Sequence, residues 1–198
     1  MSHDLPPTSL PFVIKPERVL DLGPVDVEPF ASAVLSLPES FWAAEDDRKE
    51  NSFEVFHSTQ HAVLRFFHAH ESPEAWHANP GWQFFGPALL PSMHSIVQSY
   101  AMAEPEFPKA MFARLMPGAG ITRHTDSAAS NLLVHKIHVP VATTPDVQFE
   151  VAGEYFHLEV GHAYEVNNVV PHSALNPSNT PRVHFIFEVY DAALVREA

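Results

Sequence analysis

The sequence predicts an α+β chain with a β-sandwich or barrel in its second half. Three observations lead there. Nineteen Pro against seven Gly favour many rigid turns and few long helices. Helical spacing appears only in the first half, at 26–37 and 91–103. After Pro105 short apolar segments follow one another, each bounded by turn residues, as in a sandwich or barrel. Helices first and antiparallel strands afterwards define the class.

Taken in order, the first dozen residues are rich in Pro, Ser and Thr and read as an extended arm. Residues 26–37 place Val27, Phe30, Val34 and Leu37 on one helical side, and Pro38 stops the run. Residues 45–51 are charged and read as a solvated loop or helix end. Residues 60–67 form a strand, and 72–87 a loop carrying Trp76, His77, Trp82 and Phe84. A second helix spans 91–103, with Met93, Ile96, Val97 and Tyr100 at core-facing spacing and Pro91 in its first turn. Strands are then predicted at 109–116, 132–141, 147–151, 155–160, 163–166 and 183–190. One domain covers 1–198: a helical and strand support region to residue 105, then a core over 106–191.

Composition narrows function. The net charge is -13, which argues against nucleic acid and against an anionic membrane surface, since both need basic footprints. No cysteine is present, which removes disulfide frameworks and thiolate metal sites. Residues 1–15 lack a basic start followed by an apolar stretch, so they do not read as a secretion signal. No apolar run is long enough to span a bilayer. A cytoplasmic protein acting on a small molecule is the expectation. The oligomeric state stays open, a homodimer being one option.

Fourteen histidines supply many potential metal ligands. In His124-Thr125-Asp126 an extended backbone would point both polar side chains to one face. Imidazole and carboxylate suit Fe(II), and one further histidine completes a two-His-one-carboxylate triad with open positions for a co-substrate and oxygen. Composition alone yields about 0.6 His-x-Asp pairs in such a chain, so context must carry the assignment. The pair follows a strand and the tight turn Pro117-Gly118-Ala119-Gly120, a setting like a barrel mouth. His172 is the third candidate. Between it and Arg182 lies Asn176-Pro177-Ser178-Asn179-Thr180-Pro181, a strong turn signal. Folding about Pro177 would set His172 opposite Arg182 on one face of an antiparallel pair. There the guanidinium fork could grip a carboxylate.

These four residues resemble the 2-oxoglutarate/Fe(II) oxygenases. The stretches Lys136-Ile-His-Val-Pro-Val, Gly161-His-Ala-Tyr-Glu-Val-Asn-Asn, Pro171-His-Ser-Ala-Leu-Asn and Arg182-Val-His-Phe-Ile-Phe-Glu-Val resemble the aspartyl/asparaginyl β-hydroxylase family, over residues 107–191. The resemblance implies a double-stranded β-helix, a jelly-roll or cupin-like barrel with the N-terminal helices packed on it. It implies Fe(II), O2 and 2-oxoglutarate. His124, Asp126 and His172 would bind the metal, Arg182 the co-substrate, and His138 would hydrogen-bond the co-substrate. Animal members lack the metal carboxylate. Asp126 therefore makes the chain more similar to the bacterial branch acting on free amino acids, such as proline cis-4-hydroxylase, and unlike halogenases. The family usually has Arg where Lys136 stands.

The implied activity is hydroxylation of an unactivated C–H bond in a free amino acid, or in an Asp/Asn-type residue of a peptide. His184, two residues past Arg182, is expected to share its face and line the pocket as a further co-substrate contact. His135 should face away from His138. Asn131 and Ser173 are polar neighbours. Arg114, Arg123, Arg65 and Lys136 are the choices for a substrate carboxylate, and Trp76, Trp82 and Phe84 serve either as a lid or as loop anchors. Two alternatives stay open: a cupin-type metal enzyme independent of 2-oxoglutarate, and a non-catalytic barrel that binds small acids.

Overall fold

A computed structural model describes residues 8–50, 54–68 and 71–195. Two antiparallel sheets face each other. The larger carries seven strands and the smaller four. The chain enters with β1 (Val19–Pro24), then α1 (Glu28–Leu35), α2 (Glu39–Asp47), β2 (Thr59–Phe66), β3 (His77–Ala78) and α3 (Gly81–Ile96). The barrel strands follow: β4 (Pro105–Leu115), β5 (Gly120–His124), β6 (His135–Ala142), β7 (Gln148–Val151), β8 (Glu154–Phe156), β9 (His162–Val166), β10 (His172–Leu175) and β11 (Arg182–Asp191). The larger sheet runs β1-β9-β6-β11-β4-β2-β3, the smaller β5-β10-β7-β8. This is the expected jelly-roll barrel with helices on one side.

The two-residue period of the strands divides the larger sheet into an apolar and a polar face. On β11, Val183, Phe185, Phe187 and Val189 join the main apolar cluster with Phe30 of α1 and Leu89 and Met93 of α3. The alternate residues Arg182, His184 and Glu188 are buried on the opposite face, toward the smaller sheet. β6 repeats the division, with Ile137 and Val139 against the helices and His138 on the inner side. The Phe30, Phe112 and Phe185 rings lie 5.4–6.3 Å apart, centroid to centroid. A second cluster, including Leu115, Phe149, Val166 and Ala174, fills the space between the sheets.

Several expectations need correction. The second half of the predicted loop at 72–87 is helix, because α3 begins at Gly81, a full ten residues before Pro91, and contains Pro87 and Pro91. Buried Phe85 and Leu89 extend the stripe begun by Met93; packing of that face outweighs the local cost of proline. α2 was legible only as a charged loop, yet Trp42 anchors it at 2 % exposure. Strand β1 was missed; it closes the sheet edge against β9. Part of the N-terminal arm lies outside the described residues.

The largest correction concerns the turn about Pro177. It is not a hairpin. β10 pairs with β5 and β7, whereas β11 pairs with β4 and β6. The 176–181 connection therefore crosses from the small sheet to the large one. Asn176, wholly buried, holds the crossing. Its Nδ2 donates to the carbonyls of Leu115 (3.1 Å), Met116 (3.3 Å) and Thr180 (2.9 Å). Its backbone N–H donates to Ala119 O at 2.9 Å, and its carbonyl accepts from Gly118 N at 2.8 Å. Gly118 supplies the positive φ of 72° that this turn demands.

Candidate functional site

His124 and His172 are direct cross-strand partners on β5 and β10, with ring centroids 4.2 Å apart. Their Nδ1 atoms lie 2.8 Å from Thr122 O and 2.9 Å from Val170 O respectively. A carbonyl can only accept, so each Nδ1 carries the proton and each Nε2 presents a lone pair. Asp126 lies just past the end of β5. Its backbone N–H donates to Asn168 O at 3.0 Å, which folds the carboxylate back toward the histidines. Ligand atoms of the three residues fall within 4.8 Å of one another, the one such group among the described residues.

The carboxylate is prepared as a one-oxygen ligand. Asp126 Oδ2 accepts from Lys136 Nζ at 2.7 Å and from Asn168 Nδ2 at 3.0 Å, while Oδ1 points at His124 Nε2, 3.5 Å away. Burial alone would raise the Asp126 pKa, but Lys136, His124 and His172 hold it well below the usual carboxylate value. Burial lowers the His172 pKa and keeps that imidazole neutral. At His124 burial works the same way but is outweighed by Asp126 and Thr122, so its pKa stands above the usual value. Its Nε2 is buried with no hydrogen-bond partner among the described residues. Two imidazole nitrogens and one carboxylate oxygen on a single face fit Fe(II).

Behind the trio a cavity of about 890 Å³ runs between the sheets, lined by all three residues, His138 and Arg182. Its volume suits a small-molecule site. Arg182 is 2 % exposed, and burial lowers its pKa to about 10, so it is charged at neutral pH. One of its nitrogens, Nη2, donates to His184 Nδ1 at 2.7 Å, while Nε and Nη1 meet no partner among the described residues. A buried guanidinium with unspent donors is costly unless an anion completes it. The far carboxylate of 2-oxoglutarate has the charge and two-oxygen shape to do so.

His138 faces the cavity as expected, and burial keeps it neutral. His135 faces the other way and meets Glu165 Oε1 at 2.7 Å. Unlike the expectation that it would line the pocket, His184 lies off the cavity wall. It backs Arg182 and stands 3.4 Å from His138 Nδ1, also held neutral by burial. Asn131 and Ser173 both line the cavity. Trp76, before α3, and Trp82, in its first turn, are anchors and not a lid: the Arg65 guanidinium lies over both rings, at 4.0 and 4.1 Å. Phe84 is 70 % exposed and packs on Phe85.

Sequence reasoning gave no role to five contributors. His61 lies on the cavity wall beside Thr59, and its Nδ1 has no hydrogen-bond partner among the described residues. Asn168 was visible in the matching stretch but its grip on Asp126 was not. Lys15 donates to Asn168 Oδ1 at 3.0 Å and to Val134 O at 2.6 Å, and nothing in the N-terminal arm signals this. Lys109 and Glu188 pair across β4 and β11 beside the cavity; only the strand register reveals them.

Solved structures share this architecture. A collagen prolyl hydroxylase from Paramecium Bursaria Chlorella virus-1 is 8 % identical with a TM-score of 0.56, over 87 % of this chain and 96 % of that one. A 2OG-Fe(II) oxygenase family oxidoreductase from Burkholderia pseudomallei is 12 % identical with a TM-score of 0.51, over 90 % and 93 %. A prolyl-4-hydroxylase from Pseudomonas putida is 15 % identical with a TM-score of 0.50, over 91 % and 93 %. At such identities the likeness concerns the fold. No curated protein sequence matches. No helix among the described residues is long and apolar enough to cross a membrane. The family model for aspartyl/asparaginyl beta-hydroxylases matches residues 85–192, which take in all of His124, Asp126, His138, His172 and Arg182. The chain therefore belongs to the aspartyl/asparaginyl β-hydroxylase family and is a 2-oxoglutarate-dependent hydroxylase that uses Fe(II) and O2.

Proposed function

We propose that His124, Asp126 and His172 hold the iron, that Arg182 takes the distal carboxylate of 2-oxoglutarate, and that the enzyme hydroxylates an unactivated C–H bond of a small, amino-acid-like substrate. One observation carries the reading. The buried Arg182, with two nitrogens unpaired among the described residues, opens on the same cavity as the His/Asp/His trio.

Fe(II) and 2-oxoglutarate together supply the O2 activation, with 2-oxoglutarate converted to succinate and CO2. The residues do the positioning. Nδ1–H bonds to Thr122 and Val170 keep the Nε2 atoms of His124 and His172 aimed inward. Lys136 and Asn168 occupy one oxygen of Asp126, leaving the other for the metal. His184 orients Arg182 by accepting from Nη2, and His138 offers a neutral imidazole to the co-substrate's polar end. The apolar walls, Phe149, Ile186 and Met111 among them, exclude water from the reaction they enclose.

Anaerobic addition of Fe(II) and 2-oxoglutarate to the purified protein should produce a visible absorption band, and succinate release in air should rise with a suitable amino acid. His172→Ala should abolish both. If iron binding and turnover survive in His172→Ala, the metal assignment is wrong. If Arg182→Leu leaves 2-oxoglutarate affinity unchanged, the enzyme holds its co-substrate elsewhere.

A further inference from the structure

We propose that Lys109 receives the substrate's carboxylate, so that the substrates are carboxylic acids whose carbon skeleton lies along Ile186 and Met111. The proposal rests on the hydroxylase reading above and names the substrate class of the same cavity.

The cations that the sequence offers for this task are committed elsewhere. Arg114 forks onto Glu39 at 2.7 and 2.5 Å and onto Gln60, on the helix side of the sheet against Trp42. Arg65 is held by Glu106 and Phe107 O, both at 3.0 Å, over its two tryptophans. Arg123 is 58 % exposed and reaches toward Glu150. Lys136 is spent on Asp126.

Lys109 differs from all four. It lines the cavity, which Arg114, Arg65 and Arg123 do not, and unlike Lys136, which also lines it, it is not engaged with Asp126; its side chain is 17 % exposed. Register sets it directly across from Glu188, whose Oε2 stands 3.3 Å from Nζ. That contact is not a hydrogen bond, since both Glu188 oxygens lack a hydrogen-bond partner among the described residues. The ammonium also lies over Phe66 and Phe67, 5.0 and 4.5 Å from the ring centroids. Aromatic faces attract the charge without consuming its N–H donors as an oxygen would. Lys109 is thus held in place while its donors remain available to an acceptor in the cavity.

Charge counting points the same way. The chain has four lysines at a net charge of -13. Three of them, Lys15, Lys109 and Lys136, gather about three carboxylates, Asp126, Glu188 and Glu165. Lys15 and Lys136 are satisfied by oxygen acceptors. Lys109, on the cavity wall, is the one of the three whose carboxylate neighbour accepts no hydrogen bond among the described residues. A substrate carboxylate would supply that acceptor. A dianionic phosphate would meet Glu188, and Glu50 on the same cavity wall, which disfavours it.

The test pairs acids with their carboxamides: free L-amino acids and simple aliphatic acids, each against its amide, in the Fe(II)- and 2-oxoglutarate-loaded enzyme. Succinate release is read, and binding of the same probes is measured by calorimetry in the Zn(II)/2-oxoglutarate form. At least one acid should exceed its amide roughly ten- to a hundredfold in kcat/KM and in affinity, the worth of a charge-assisted hydrogen bond. Lys109→Met should erase that gap by raising KM for the acid. Lys109→Arg should restore part of it, and Arg123→Gln should leave it intact. Equal response to acids and amides, no response to any acid, or an unchanged KM for the acid in Lys109→Met overturns the proposal. The acid-against-amide comparison needs no variant and stands even if Lys109→Met misfolds. Absence of the anaerobic Fe(II)/2-oxoglutarate band in the wild type sinks the hydroxylase reading instead, so the two failures are distinguishable.

Discussion

Arg182 donates to the ring of His184 across 2.7 Å and leaves its other nitrogens, Nε and Nη1, facing no acceptor among the described residues. Since a guanidinium can only donate, His184 Nδ1 is the acceptor and the imidazole is neutral. Arg182→Leu should therefore raise the Kd for 2-oxoglutarate roughly a hundredfold, measured from the anaerobic absorption band. The metal-free variant should melt no lower than the wild type, because an uncompensated buried charge has been removed.

Lys136 controls how Asp126 meets a metal. Lys136→Met frees Asp126 Oδ2 from its 2.7 Å partner and removes the largest favourable charge beside a buried carboxylate. Iron affinity should fall roughly ten- to a hundredfold, the usual effect of losing a group that orients a ligand. Metal analysis after equilibrium dialysis reads it. Lys136→Arg, with the residue the family usually has there, should retain more of the affinity than Met does.

Asn176 ties the sheet crossing to the turn after β4. Asn176→Ala deletes three donor contacts to carbonyls and the acceptor of the Ser178 hydroxyl at 2.7 Å. The chain should lose about 2–4 kcal/mol of stability, measured by urea denaturation. Iron affinity should fall too, since β10 and its His172 hang on this crossing.

His61 makes the fold acid-sensitive. Burial, helped by Lys49, Arg182 and Lys136, lowers its pKa to about 3 from the ordinary 6.5. The native ring is neutral, whereas the unfolded chain takes up a proton below pH 6.5. Stability is thus complete above pH 6.5 and lost as pH falls toward 3. Between pH 7 and 4.5 the loss should be about 2–3 kcal/mol. His61→Gln should show a correspondingly shallower pH dependence in urea midpoints, while the buried histidines His138 and His184 keep their share in both proteins.

The barrel and the His124-x-Asp126 pair were legible because both depend on local signals. Alternating apolar residues and turn-forming segments marked most strands, and His124-x-Asp126 sits just past a glycine-bearing turn. The helix boundaries were not legible. Pro87 and Pro91 argue for a break, and only the buried face of α3 against β2 and β4 outweighs them. His172 and Arg182 were placed together for a wrong reason: they do not face each other across a hairpin but approach the cavity from opposite sheets. Pro177 and its neighbours mark a change of direction, and a turn signal does not say which strand the chain joins next.

The sequence by itself determined which residue types form the proposed metal trio, and that an arginine follows its last histidine at a strand's start. Tertiary structure alone decided the rest of the site. Register across β4 and β11 set Lys109 against Glu188, and folding of the N-terminal arm brought Lys15 under Asn168. The physical reason is sequence distance. Lys15 and Asn168 are 153 residues apart, and no local period connects them. Packing of the sheets determines whether such residues meet, and whether a cation such as Arg114 or Arg65 is spent on the scaffold or, as with Lys109, left facing the cavity.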